Sequence, residues 1–279
     1  MRSLSYDTVV GAVRELVVSA NLNLPEDVIR AVKKARATEE SPMGIAVLDE
    51  IIENARVARE TGLPLCQDTG TAVFFVERGE GVTVDGPGLE WAIFTGVRLG
   101  YTEGNLRLST AHPLTRENVG DNTPPTIHTT VVEGDKLKLS FLAKGGGAEN
   151  MSRLFMLSPS EGEGGVIGSV VETVESAGAK ACPPLIVGVG LGGTFDTAPI
   201  LAKEALLRKV GSANMDKKIA EMEGKILREI NKLGIGPMGY GGRVTALAVY
   251  VELRPCHIAS LPVAVNLQCH SARHGEVEL

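Results

Sequence analysis

The period of the apolar residues is helical over the first sixty residues of this chain and mixed beyond them, and that change limits the kind of fold it can adopt. Over the first sixty residues apolar side chains recur at helical spacing. Val9, Val13, Leu16 and Val17 form one stripe, and Pro25 opens a second segment carrying Val28, Ile29 and Val32. Ser41-Pro42 then sets a capping hydroxyl before a proline at the first helical position; Ile45, Leu48, Ile52 and Ala55 follow, and Gly62 closes the segment. Beyond it, strand-like runs alternate with further helical ones. The expectation is an α/β fold, α+β-like in layout: an N-terminal helical segment, then a mixed β-sheet with flanking helices.

The later segments follow in order. TAVFFVERG reads as a strand, and LEWAIFTGVRLGYTEGNLR as a helix running into a polar loop. TIHTTVVEGDKLKLSFLA reads as a hairpin turning at Glu133-Gly134-Asp135. KGGGAENMS holds three glycines that no strand would keep; a short helix, the buried strand PLIVGVG and the helix TAPILAKEALLRK come after it. Met215, Ile219, Met222, Ile226, Ile230 and Leu233 make an amphipathic helix stopped by Gly234, and RVTALAVYVEL is another strand. With no internal repeat, residues 1–279 read as one domain, the Gly-rich stretch near 145–165 being a candidate subdomain boundary.

Charge and hydropathy narrow the partners. The net charge is −6, and no Lys/Arg run is long enough to track a phosphate backbone, which argues against nucleic acid. No stretch approaches 18 uninterrupted apolar residues and the N-terminus lacks a signal-peptide block, so the expected setting is the cytoplasm, without a membrane contact.

Four cysteines, Cys66, Cys182, Cys256 and Cys269, carry the sharper question. In a reducing compartment they are inert thiols, metal ligands or a nucleophile. A Cys66 nucleophile is disfavoured because Asp68 would raise its pKa. No Cys-x-x-Cys exists for a zinc ribbon, although Cys256, His257, Cys269, His270 and His274 offer zinc-type donors close together. GVGLGG, Gly188 to Gly193, formally fits a dinucleotide fingerprint, but it also fits a tight strand-to-helix turn, and the acid expected about 20 residues on is absent.

Cys66, Cys182 and Cys269 each sit at a junction of elements beside polar residues or proline. Three thiolates from three distant loops suit an iron–sulfur cluster. Three ligands rather than four would leave one iron open as a Lewis acid, which suggests hydration or dehydration of a hydroxy acid. Asp68 and His257 are candidates for proton transfer, and Arg107 for holding a carboxylate.

The blocks LPLCQDTG, GNLR, DNTPPTIHTTVVEGDKLKLSFLAKGGGAENMS, CPPLIVGVGLGG and RPCHIASLPVAVNLQCHSARH, in this order, resemble the α subunit, or N-terminal part, of class I iron–sulfur fumarate hydratases. L-tartrate dehydratase α subunits share these blocks. The resemblance runs from about residue 5 to the C-terminus. It implies a 4Fe–4S cluster on Cys66, Cys182 and Cys269, and substrate contacts from Gln67, Asp68, Arg107, Gly146, Gly147 and His257. It also implies reversible hydration of fumarate to L-malate, or the tartrate reaction, on a small dicarboxylate substrate. A β subunit would complete the site as a heterodimer or heterotetramer. A non-catalytic subunit with structural thiols or zinc is the alternative from a different class. Cys256 has no part in the three-ligand pattern.

Overall fold

A computed structural model describes residues 2–279, which form an α/β fold divided into two compact units. The chain passes between the units at 25/26, 54/55, 146/147 and 272/273.

The first unit holds the described residues up to Pro25 together with Ala55–Gly146 and Arg273–Leu279. Its elements are β1 (Arg2–Leu4), α1 (Tyr6–Leu22), the end of α3 (Pro42–Thr61), β2 (Thr71–Gly79), β3 (Val82–Val84), α4 (Leu89–Glu103), β4 (Thr126–Val132), β5 (Leu137–Lys144) and β10 (His274–Glu278). Four strands form one sheet in the order β10-β5-β2-β4, with β2 antiparallel to β5 and parallel to β4. Alternate residues of β2 (Ala72, Phe74, Val76) and β5 (Leu137, Leu139, Phe141) bury one face, which α1 and α4 cover. The two helices approach closely because α4 carries Gly96, where a Cβ would lie 2.5 Å from Val13 Cβ.

This sheet corrects the expected hairpin. β4 and β5 do not pair with each other; β2 lies between them. The turn after β2 docks into the connection instead: Gly79 and Gly81 donate their N–H groups to the Lys136 and Gly134 carbonyls. A strand-like pattern states which faces are buried, and it leaves the neighbour undetermined.

The second unit comprises Glu26–Asn54 and Gly147–Ala272. Here α2 (Glu26–Thr38) and the start of α3 precede β6 (Arg153–Leu157), α6 (Gly162–Ala177), β7 (Leu185–Gly192), α7 (Thr197–Ala205), α8 (Lys217–Lys232), β8 (Ala246–Arg254) and β9 (Leu261–Gln268). A single turn, α5 (Gly146–Glu149), stands at the boundary. The sheet order is β6-β9-β7-β8, with β7 parallel to β8 and antiparallel to β9. Odd-numbered residues of β7 (Leu185, Val187, Val189) face a core shared with α6 and α8. Its even positions include Gly188 and Gly190, where a Cβ would fall 2.0 Å from the Ala202 and Ala198 carbonyls of α7. Gly188 and Gly190 therefore let α7 lie directly on the strand, while Gly192 and Gly193, at φ +88° and +71°, make the strand-to-helix turn.

The amphipathic helix begins at Lys217, where the Asp216 carboxylate caps Lys218 N–H. Met215 lies before it and is fully exposed; the rest of the expected series packs on the core, with Ile219, Ile226 and Ile230 buried and Met222 and Leu233 partly so.

One buried acid ties the start of this unit to its end. The Glu39 carboxylate, 5% exposed, accepts N–H bonds from Glu40, Ser41, Arg243 and Val244. Burial alone would raise its pKa, but the Ser41, Arg243, Val244 and Glu40 amides outweigh that and hold it below the ordinary value. A carboxyl depressed on folding stabilises fully above its unfolded pKa, and the contribution is lost as pH falls through the folded value. Glu39→Gln should therefore destabilise the chain by about 2–3 kcal/mol at neutral pH, because the amide presents donors to donors. Denaturant melts should show the gap between variant and wild type closing in acid; a gap that persists below the carboxylate range would contradict this role.

Candidate active site

The Cys66–Gly70 loop is a polar segment of the first unit, held by hydrogen bonds within it and from distant residues. It follows α3 and enters β2. Cys66 is a half-buried free thiol whose Sγ accepts the Asp68 N–H at 3.4 Å. Gln67 is exposed. Asp68 is half-buried: its Oδ1 accepts Gly70 N–H at 3.0 Å and its Oδ2 accepts Gly146 N–H at 2.8 Å. Gly70 has φ +73°, and a Cβ there would come within 2.5 Å of the Lys144 carbonyl, so only glycine passes at this point.

Three consecutive carbonyls of the loop are held from behind. Arg273 Nη1 donates to the Asp68 carbonyl at 2.5 Å, and the Tyr101 hydroxyl donates to the Thr69 and Gly70 carbonyls at 3.1 and 3.2 Å. Asn122 Nδ2 donates to the Gly70 carbonyl at 3.1 Å. Burial pushes the Tyr101 hydroxyl far above the usual phenol range, so it stays a neutral donor. Thr69 Oγ1 donates to the Arg107 carbonyl at 3.0 Å, which ties the loop to the segment carrying that arginine, itself exposed.

In the second unit, strand register places two of the predicted thiols together. β7 starts three residues after Cys182 and β9 ends one residue before Cys269, and Ile186 pairs with Gln268. The two cysteines thus leave the same end of the sheet. His270 joins them: its backbone N–H donates to the Cys182 carbonyl at 3.3 Å, and its Nδ1 lies 3.0 Å from the same oxygen. Cys182 sits at φ +55°, a left-handed position that turns the chain sharply from the short 3-10 turn before it. Gly147 packs against that turn, since a Cβ there would meet the Lys180 carbonyl at 2.9 Å.

His257 lies on the exposed β8–β9 loop, where Nδ1 accepts Ala259 N–H at 3.1 Å. In the neutral ring this leaves Nε2 as the hydrogen-bearing nitrogen. Cys256, also exposed, donates its S–H to the Ser260 carbonyl at 3.2 Å. Among the described residues no three His, Cys, Asp or Glu side chains converge as on a single metal ion. No helix among them is long and apolar enough to cross a membrane.

The structure therefore brings together Cys66, Gln67, Asp68, Arg107 and Gly146 within one unit, and Cys182, Cys269 and Gly147 within the other, with His257 on a loop of the latter. Sequence reasoning missed Arg273, Tyr101 and Asn122. Arg273 lies inside the CHSARH stretch, and no local pattern marks it as a partner of Asp68.

Comparison with known proteins bears on the same segments. The family described as fumarate hydratase (Fumerase) matches residues 10–278. A Methanocaldococcus jannaschii protein named "Putative L(+)-tartrate dehydratase subunit alpha" is 45% identical over 267 residues, covering 94% of each chain. The Escherichia coli (strain K12) protein named L(+)-tartrate dehydratase subunit alpha is 32% identical over 256 residues, covering 90% of this chain and 84% of its own length. The match includes the cysteine-bearing loops of both units, and the chain belongs to the fumarate hydratase (Fumerase) family.

Proposed function

We propose that this chain is the α subunit of a two-subunit, 4Fe–4S-dependent hydro-lyase that interconverts fumarate and L-malate. Membership of the family supports the reaction class, and the relatives' names, which call them α subunits, support a β partner. The observation that carries the reading is the Cys66–Gly70 loop. It sets a partly exposed thiol and a carboxylate two residues apart, each held by backbone amides.

Cys66, Cys182 and Cys269 fit the cluster by their chemistry: none is in a disulfide, none is fully buried, and Cys66 already accepts an amide hydrogen as a thiolate ligand would. Thiolates on a cubane bind separate irons, so they need not converge on one point. When bound, the cluster would supply a Lewis-acidic iron that makes the substrate hydroxyl a better leaving group.

The chain's own residues do the rest. In the dehydration direction the C2–O bond breaks, a proton leaves C3, and the C3–H electron pair becomes the double bond. His257 presents an Nε2–H that can give the departing hydroxyl its proton, so that it leaves as water. Asp68 Oδ2 keeps a lone pair beyond the one taken by Gly146, and with it orients the hydroxyl hydrogen. Arg107 and Gln67, both exposed, are suited to a substrate carboxylate, Arg107 as a two-pronged donor. The base that takes the C3 proton is assigned to the partner subunit. L-Tartrate is a second substrate reading, and the relatives' names favour it.

The test is anaerobic co-expression with the β subunit, followed by assays on fumarate, L-malate and L-tartrate with iron and sulfide determination. Iron-dependent turnover of one of these by the pair, at least about tenfold above the isolated chain, is the expected result. Equal turnover by the isolated chain would refute the split site. Zinc in place of iron, with no turnover, would favour a structural subunit.

A further inference from the structure

We propose that Arg273 is the positioning residue of this site, its buried guanidinium fixing the main chain of the Cys66–Gly70 loop and so the direction of the Asp68 carboxylate. The inference rests on the hydro-lyase reading only for what Asp68 then does.

Arg273 is 1% exposed, which makes it the largest fully buried side chain among the described residues. A guanidinium cannot shed its proton, so burying one costs several kcal/mol unless its hydrogens find acceptors. Filling space at this position would be cheaper for an apolar side chain. The fork is committed elsewhere: Nη1 donates to the Asp68 carbonyl at 2.5 Å and to Asn21 Oδ1 at 3.3 Å, while Nε–H has no acceptor. The backbone of Arg273 is itself fixed, its carbonyl accepting the N–H of Ala143 on β5 at 3.0 Å. The guanidinium thus reaches the loop from a rigid strand edge.

Its charge also lies beside the Asp68 side chain. A Cβ built on Gly145 would be 3.2 Å from Asp68 Oδ2 and 3.5 Å from Arg273 Nη2, so both groups border the same point. Of the three side chains that hold the carbonyls of Asp68, Thr69 and Gly70, Arg273 is the ionised one; Tyr101 and Asn122 are neutral. A charge-assisted bond is shorter and stronger than a neutral one, so Arg273 should dominate the loop's rigidity. Losing it should free the loop while the sheets stay intact.

The experiment compares wild type, Arg273→Met and Arg273→Lys as full chains co-expressed with the partner subunit. Hydrogen exchange by mass spectrometry is read over residues 63–70 and over β5 and β7, alongside kcat and KM. In Arg273→Met, exchange over 63–70 should accelerate about tenfold with β7 unchanged. The kcat should fall about 10–100-fold with KM changed less than about threefold, and Arg273→Lys should recover part of both. Wild-type protection over 63–70 in Arg273→Met overturns the proposal. Equal acceleration throughout β5 and β7 also overturns it, because a core-filling residue would behave that way. If Arg273→Met does not fold, the same exchange comparison in Arg273→Lys decides. A wild-type pair inactive on every dicarboxylate would refute the hydro-lyase reading, while the exchange data would still decide the role of Arg273 in holding the loop.

Discussion

Serine in place of Cys66, Cys182 or Cys269 should strip iron and sulfide from the co-expressed complex and lower its turnover by about a thousandfold or more. A Lewis acid that stabilises the leaving group is worth several kcal/mol, and about 4 kcal/mol corresponds to that factor. Serine matches cysteine in size but is not a thiolate at neutral pH, so the fold should survive while the ligand is lost. Cys182 is the most demanding of the three, because its residue must also adopt φ +55° and offer its carbonyl to His270. Serine supports both, which isolates the sulfur as the variable. Cys256→Ser is the control. That side chain is exposed, and a serine hydroxyl can keep the bond to the Ser260 carbonyl, so iron content and turnover should remain at wild-type levels. Iron retained in all three ligand variants would overturn the cluster assignment, and iron lost with Cys256→Ser would redirect it.

Asp68→Asn should lower kcat by about 10²–10⁴-fold with cluster content unchanged, the range for removing a positioned proton-handling group. Both carboxylate oxygens face N–H donors, from Gly70 and Gly146. An asparagine can satisfy one of them with its oxygen, but its NH₂ must then confront the other donor. Part of the loss will therefore be geometric, and Asp68→Glu separates the two contributions: it keeps the charge and displaces it by one methylene. If Asn is inactive and Glu retains measurable turnover, charge at this position matters. Near-normal turnover in Asp68→Asn with a full cluster would remove Asp68 from the proposed chemistry.

How much of this was legible beforehand differs between elements. The helical period gave α1, α2 and α3 because an apolar stripe every three to four residues is a local property of one face. β2 was legible to its ends, Thr71–Gly79, since the β-branched and aromatic run Val73, Phe74, Phe75 and Val76 lies between a glycine-bearing loop and Gly79. The pairing of β4 was not legible. Its largely exposed side chains follow from sitting at a sheet edge beside β2, and the same local sequence would suit a hairpin with β5. Of the four crossings between units, 146/147 falls in the Gly-rich stretch near 145–165; the other three could not be read, because each falls inside or beside an ordinary element, and one lies within α3.

The candidate site divides in the same way. The sequence alone determined the chemical inventory: which thiols, which carboxylate, which glycines, and the short spacing that sets Asp68 two residues from Cys66. Such neighbours meet because the chain connects them. Tertiary structure alone decided what holds that inventory in place. Tyr101, Asn122 and Arg273 reach the loop across 32, 52 and 205 residues of sequence. The register of β7 against β9 brings Cys182 to the same sheet end as Cys269. Hydrogen bonds between distant segments exist only once the sheets have formed, since sheet formation offsets the entropy of closing such long loops and sets the donors facing their acceptors.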